Sequence, residues 1–277
     1  MSRAAINTLT HLIDSAEAGG WTLPVDVLEA HRVYKRVNEL TLPAPASLDA
    51  FTAAAGIVDS VASGEPVDVM AAGRGLLDAD GERQAYEKAR HILQVAVDQA
   101  AQAAGNLAAD LTEVIITDHL AVALDDVHAQ AREAAEALKG FALDNPSMLA
   151  APAKVRSAYL TLTGLVTRRQ LLFTARRWAN SIGFRVPEHD HAHMFAEFEN
   201  PTALMPGWKQ GMRPSIDAPE DPIQRLLWVV SDEVAPAKPR LATVAEQDAS
   251  WQEQFGEALE QRRVAILAAR AFSGMDV

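Results

Sequence analysis

Residues 82–139 read ERQAYEKARHILQVAVDQAAQAAGNLAADLTEVIITDHLAVALDDVHAQAREAAEALK. The stretch contains no proline and one glycine, Gly105. Proline is the residue that most reliably breaks a helix. At about 1.5 Å per residue, a continuous helix here would reach about 90 Å. Ala85, Ala89, Ile92, Ala96, Gln99 and Ala103 recur at alternating steps of four and three. Leu120, Leu124, Val127, Ala131, Ala134 and Leu138 do the same. Both series are heptad seams. Their phase breaks around Gly105 and again near Ile116–Asp118. A kinked helix, or a hairpin turning near Gly105–Asn106, is therefore expected in place of one unbroken coiled coil. Thr112–Ile116 is the best local candidate for a strand, but its flanks are helical.

Outward from this stretch the pattern stays helical. Ser2 can cap a first helix with Ile6, Leu9, Ile13 and Ala16 on one stripe, ended by Gly19–Gly20. Pro24 suits the first turn of a second helix carrying Val27, Leu28, Tyr34 and Val37. The connector TLPAPAS (41–47) leads to a third helix over Leu48–Ala62, which SGEP (63–66) breaks. A fourth, Val67 to Leu77, is weakened by Gly73 and Gly75. Pro152 starts a long helix to Ile182 whose apolar positions go round most of its circumference. Such a helix sits centrally, with its arginines snorkelling or paired. Residues 183–221 read as a long ordered loop with a short helix. Asp221–Pro222 opens a helix through Val234, with Ile223, Leu226, Leu227 and Val230 inward. VAPAKPRLA (234–242) is a second connector. Thr243 and Glu246 make a capping box for a final helix bearing Trp251, Phe255, Leu259 and Ile266.

The fold expected is all-α: a helical bundle with a long coiled-coil-like segment, kinked or hairpin, and a loop-containing C-terminal helical part. Three stretches follow: a short-helix region at 1–80, an acidic helical segment at 81–140, and a C-terminal region at 141–277. No fixed-period repeat stands out.

Composition narrows the functional classes. The 277 residues are 49% hydrophobic and 22% charged, too apolar for a disordered chain. Alanine makes up roughly a fifth of the chain, and aromatics only 6%. Alanine favours helix but buries little area, so closely packed helices fit better than a thick sheet core. The arginine-over-lysine and alanine bias fits a GC-rich genome, bacterial or that of a bacterial virus. There are no cysteines, so disulfides, thiol nucleophiles and thiolate zinc sites are excluded. No apolar run is long enough to span a membrane, and no secretory leader is visible. A cytoplasmic or virion location is expected.

The formal net charge is -12, which disfavours general binding to DNA or anionic membrane. Residues 1–150 carry 10 basic and 22 acidic side chains, whereas residues 151–277 carry 15 of each. Between Asp144 and Glu188 there is no acid, only Lys154, Arg156, Arg168, Arg169, Arg176, Arg177 and Arg185. Arg168, Arg169, Arg176 and Arg177 are the candidate basic patch for a phosphate backbone. The favoured reading is pairing within the chain, because the same helix carries Leu, Phe and Trp.

The remaining cluster is Glu188-His189-Asp190-His191-Ala192-His193, followed by Glu197. His189, His191 and His193 share one face of a strand, and His189, His193 and Glu197 one face of a helix. Imidazole and carboxylate suit a divalent transition metal, the only cofactor the sequence suggests. The order His191-x-His193-x3-Glu197 is similar, over seven residues, to the metal motif of cupins. The glycines framing that motif are not at their usual spacing, and the chain lacks the strands a cupin needs. The bland reading is a polar loop anchored by Met194, Phe195 and Phe198. Asp125–Asp126 with His128 reads as a solvated helix face, and the tryptophans as core anchors.

No Gly-x-Gly-x-x-Gly, Walker, Gly-x-Ser-x-Gly or His-Glu-x-x-His sequence occurs. The leading expectation is a non-enzymatic structural or assembly protein that self-associates through alanine-rich helices, such as a phage or prophage virion morphogenesis component. The alternative is a metal-binding protein or metal-dependent enzyme using His189, His191, His193 and Glu197. The third is nucleic-acid binding through the basic helix.

Overall fold

The computed structural model describes residues 3–44, 50–63, 66, 68–139, 141, 143, 150–187, 195–205, 216–256 and 264. The fold is all-α. The helices are α1 (Arg3–Gly19), α2 (Val25–Asn38), α3 (Ala50–Ser63), α4 (Val69–Asp110), α5 (Val122–Leu138), α6 (Ala153–Ile182), α7 (Pro222–Val229) and α8 (described over 244–256). Among the described residues, no helix is long and apolar enough to cross a membrane.

The chain forms two compact units. One comprises Met1–Leu28 with Gly105–Val277, the other Glu29–Ala104. The first unit therefore joins the N-terminal helix to the C-terminal part of the chain.

The first unit is built around α6, which lies against α1, α5, α7 and the turn before α5. Its side chains Val155, Leu162, Leu165, Leu172, Ala175, Ala179 and Ile182 are buried. On α1, the predicted stripe Ile6, Leu9, Ile13 and Ala16 is buried, with Leu12 beside it. The end of α1 follows from two glycines. Gly20 takes the left-handed conformation at φ 69°, and Trp21 N–H donates back to Ala16 O at 3.2 Å. This is the Schellman closure, in which only glycine pays no Cβ penalty. The Trp21 ring then sits on Gly19, where a Cβ would lie 1.6 Å from Cζ3.

The path from α4 to α5 bears on three points of the sequence reading. First, α4 runs unbroken through Gly73, Gly75 and Gly105. A glycine costs a helix only about 1 kcal/mol, too little to end one of 42 residues. Second, no hairpin forms at Gly105–Asn106. The helical ladder continues through Leu111, whose N–H donates to Leu107 O at 3.0 Å and whose carbonyl accepts from Ile115 N–H at 2.9 Å. Third, Thr112–Ile116 is not a strand. Thr112–Val114 is a helical turn, and Ile115–Ala121 is π-helical. Burial of Ile115, Ile116 and Leu120 overrides the β-propensity of the run. The π turn lies at Ile116–Asp118, where the heptad phase breaks, and it re-aims the helix face.

The C-terminal part pairs two irregular segments. Arg240 N–H donates to Glu197 O at 2.8 Å, Ala242 N–H to Ala196 O at 3.1 Å, and Asn200 N–H to Ala237 O at 3.0 Å. VAPAKPRLA is thus no free connector, since Val234, Ala237, Leu241 and Ala242 are buried. Phe195 packs with Met205, Trp251 and Phe255. Phe198 packs with Val229, Val234 and Ala237. Asp221 caps α7 by accepting from Gln224 N–H at 2.8 Å. The Thr243–Glu246 box closes in both directions, at 2.7 and 3.1 Å.

In the second unit, His31, Ala79 and Ala104 are the buried side chains among the described residues. This unit has helices but almost no described core.

Candidate functional site

The two heptad seams end in opposite environments. Leu120, Leu124, Val127, Ala131, Ala134 and Leu138 are all buried, with α5 lying against α6. Of the other series, Ala85, Ile92, Gln99 and Ala103 are exposed, and Ala89 and Ala96 half-buried. The half-buried row of α4 lies one residue round, at Tyr86, Leu93, Val97 and Ala100. Ile92 is 67% exposed, Val95 41% and Leu77 73%. The outer face of α4 therefore presents aliphatic side chains to solvent among alanine and charged residues.

The arginines of α6 are mostly engaged inside the first unit. Arg168 meets Asp126 of α5 at 2.7 Å. Arg169 bridges Glu197 and lies over the Phe173 ring, 4.8 Å from its centroid. Arg176 is buried and donates from Nε to Ala242 O at 2.6 Å. Burial pushes its guanidinium down to about 10, and Glu246 opposes that shift. Arg177 is exposed and contacts Thr174 on its own helix at 3.1 Å. The structure does not bring these four cations to one surface: Arg168 and Arg176 serve different partners, and Arg177 faces solvent.

Glu197 is the one candidate metal ligand within the described residues; His189, His191 and His193 lie outside them. Its Oε1 is bound by Arg169, and its Oε2 accepts from Arg225 of α7 at 3.2 Å. A carboxylate held between two guanidiniums is an ion-pair anchor, joining α6 to α7 through the 195–200 segment. Among the described residues, no group of three or more His, Cys, Asp or Glu side chains is arranged to hold a metal ion.

His128 is buried on α5, contrary to the solvated face expected from its acidic neighbours. It lies beside Val127 of the buried seam, while Asp125 and Asp126 stay exposed. Burial holds its pKa down at about 4, with Arg169 and Arg132 adding repulsion. Its Nε2 has no hydrogen-bond partner. The tryptophans expected as anchors divide. Trp251 is buried, Trp228 packs edge-on to Phe198, and Trp178 stacks on His11 at 5.4 Å. Trp208 lies outside the described residues.

Comparisons with protein-family models, curated proteins and solved structures returned no match to this chain.

Proposed function

We propose that this protein is a non-enzymatic structural or assembly protein that self-associates through the outer face of α4, in the manner of a phage or prophage morphogenesis factor. The observation that carries this reading is the exposed seam. Ala85, Ile92, Gln99 and Ala103 keep heptad spacing on a 42-residue helix, yet the chain leaves them uncovered. A heptad face gains its stability by burial against a second helix. Leaving Ile92, Val95 and Leu77 in water forgoes burial worth about 1.5–3 kcal/mol per large aliphatic side chain. The alanines allow close approach of a second helix, and the flanking charges keep the unassembled chain dispersed.

Light scattering on the full chain over a range of concentrations tests this. A dimer or larger species is expected. Ile92→Asp with Val95→Asp should shift it to monomer while circular dichroism stays unchanged. A strict monomer at high concentration would overturn the reading.

A further inference from the structure

We infer that the occupant of the outer face of α4 is a second copy of α4 running antiparallel, about a two-fold axis at Gln84–Ala85. The inference rests on the self-association proposed above and adds its orientation and register.

Leu77, Gly81, Gln84, Lys88, Ile92 and Val95 follow one another at steps of four, three, four, four and three, so they form one stripe along α4. All six are exposed. The stripe has apolar ends and a polar middle: Leu77 stands at one end, Ile92 and Val95 at the other. Its spacing is symmetric about Gln84–Ala85. Leu77 lies as far before that point as Ile92 lies after it, and Gly81 as far before it as Lys88 after it. A second copy turned about that point therefore sets Leu77 level with its Ile92, and Lys88 level with its Gly81. Two-fold symmetry makes each contact occur twice.

Charge separates this arrangement from a parallel one. No acid lies three or four residues either side of Lys88, so α4 offers it no partner along its own face. Asp78 and Asp80 are exposed on opposite flanks of the stripe, next to the Leu77–Gly81 stretch. In a parallel pair in register, Lys88 meets Lys88, and Asp78 of one copy faces Asp80 of the other. In the antiparallel pair, Lys88 reaches between Asp78 and Asp80 of the other copy. Charges along a helix seam set orientation in this way. Gly81 supplies the room: no atom of the surrounding chain lies within 4 Å of where its Cβ would be. Glycine inside a helix costs stability, and close approach of another chain is a use that offsets the cost.

The chain has no cysteine, so introduced thiols report on the pair alone. Leu77→Cys and Ile92→Cys, made separately in the full chain, are oxidised alone and as a mixture. Leu77→Cys alone should give no disulfide dimer, since the two copies of position 77 would lie about 22 Å apart along the axis, beyond disulfide reach. The mixture should give the mixed dimer, and Gln84→Cys alone should cross-link to itself. Lys88→Glu should weaken dimerisation at least about fivefold, and Asp78→Lys with Asp80→Lys added to it should restore the parent affinity. Light scattering on the same samples separates the two readings. A monomer overturns self-association and this inference with it. A dimer in which Leu77→Cys links to itself, in which the mixture gives no mixed dimer, or whose affinity Lys88→Glu leaves unchanged overturns the orientation and leaves self-association standing.

Discussion

The 85–103 stretch of α4 and the 120–138 stretch closing α5 carry the same spacing of small and aliphatic residues. Four of the six seam residues in the first are exposed and two half-buried, whereas all six in the second are buried. The difference lies in side-chain size and in neighbours. The buried seam has Leu120, Leu124, Val127 and Leu138 and faces α6, itself rich in Leu. The exposed seam is mostly alanine, with Ile92 its one large apolar residue. A heptad marks which face of a helix is apolar, but not what covers it: within the chain, the seam with the larger side chains and more area to bury is the one that is covered.

The sharpest way to break this comparison is to truncate one large residue in each seam. Leu124→Ala removes a fully packed side chain and should cost about 2–5 kcal/mol. Ile92→Ala should change monomer stability by less than about 0.5 kcal/mol. Urea denaturation at low protein concentration measures both. Equal effects would show that α4 is covered as fully as α5.

Acid should separate the regions next. His128 is neutral when folded, with its pKa held near 4 against about 6.5 when unfolded. The unfolded chain therefore binds the proton first. Its stabilising contribution is complete above about pH 6.5 and is lost as pH falls through 4. A shift of that size corresponds to about 3 kcal/mol. Unfolding midpoints at pH 7 and pH 4, compared with those of His128→Gln, measure it. The variant should lose less stability across that interval.

The smallest effect concerns glycines, and its sign reverses between regions. Gly73 and Gly81 of α4 have open space where a Cβ would go. Replacing either with alanine should stabilise the helix by up to about 1 kcal/mol. Gly19→Ala should destabilise, because the Cβ would overlap the Trp21 ring. Thermal denaturation of the three variants gives the signs.

Much of the fold was legible where local chemistry suffices. The double glycine ended α1, Asp221 and Thr243 with Glu246 capped α7 and α8, and the circumferential apolar pattern of α6 put it at the centre. The reading of the basic helix as internally paired describes Arg168 and Arg169, although Glu197 comes from the neutral half of the chain. Less was legible where an outcome depended on a partner. Asp125 and Asp126 suggested a wet face for His128, but it adjoins Val127 on a stripe wider than the strict heptad.

The sequence by itself determined that the chain is helical, where most helices start, and which faces are apolar. These depend on interactions within a few residues: caps, glycine conformations and the 3.6-residue period. Tertiary structure decided that the Ile-Ile-Thr run would be wound into a π turn, that His128 would lose its water, and that one seam would be covered while its counterpart stayed open. Those outcomes depend on which side chains other elements bring alongside, and burial free energy is set by the neighbour as much as by the residue.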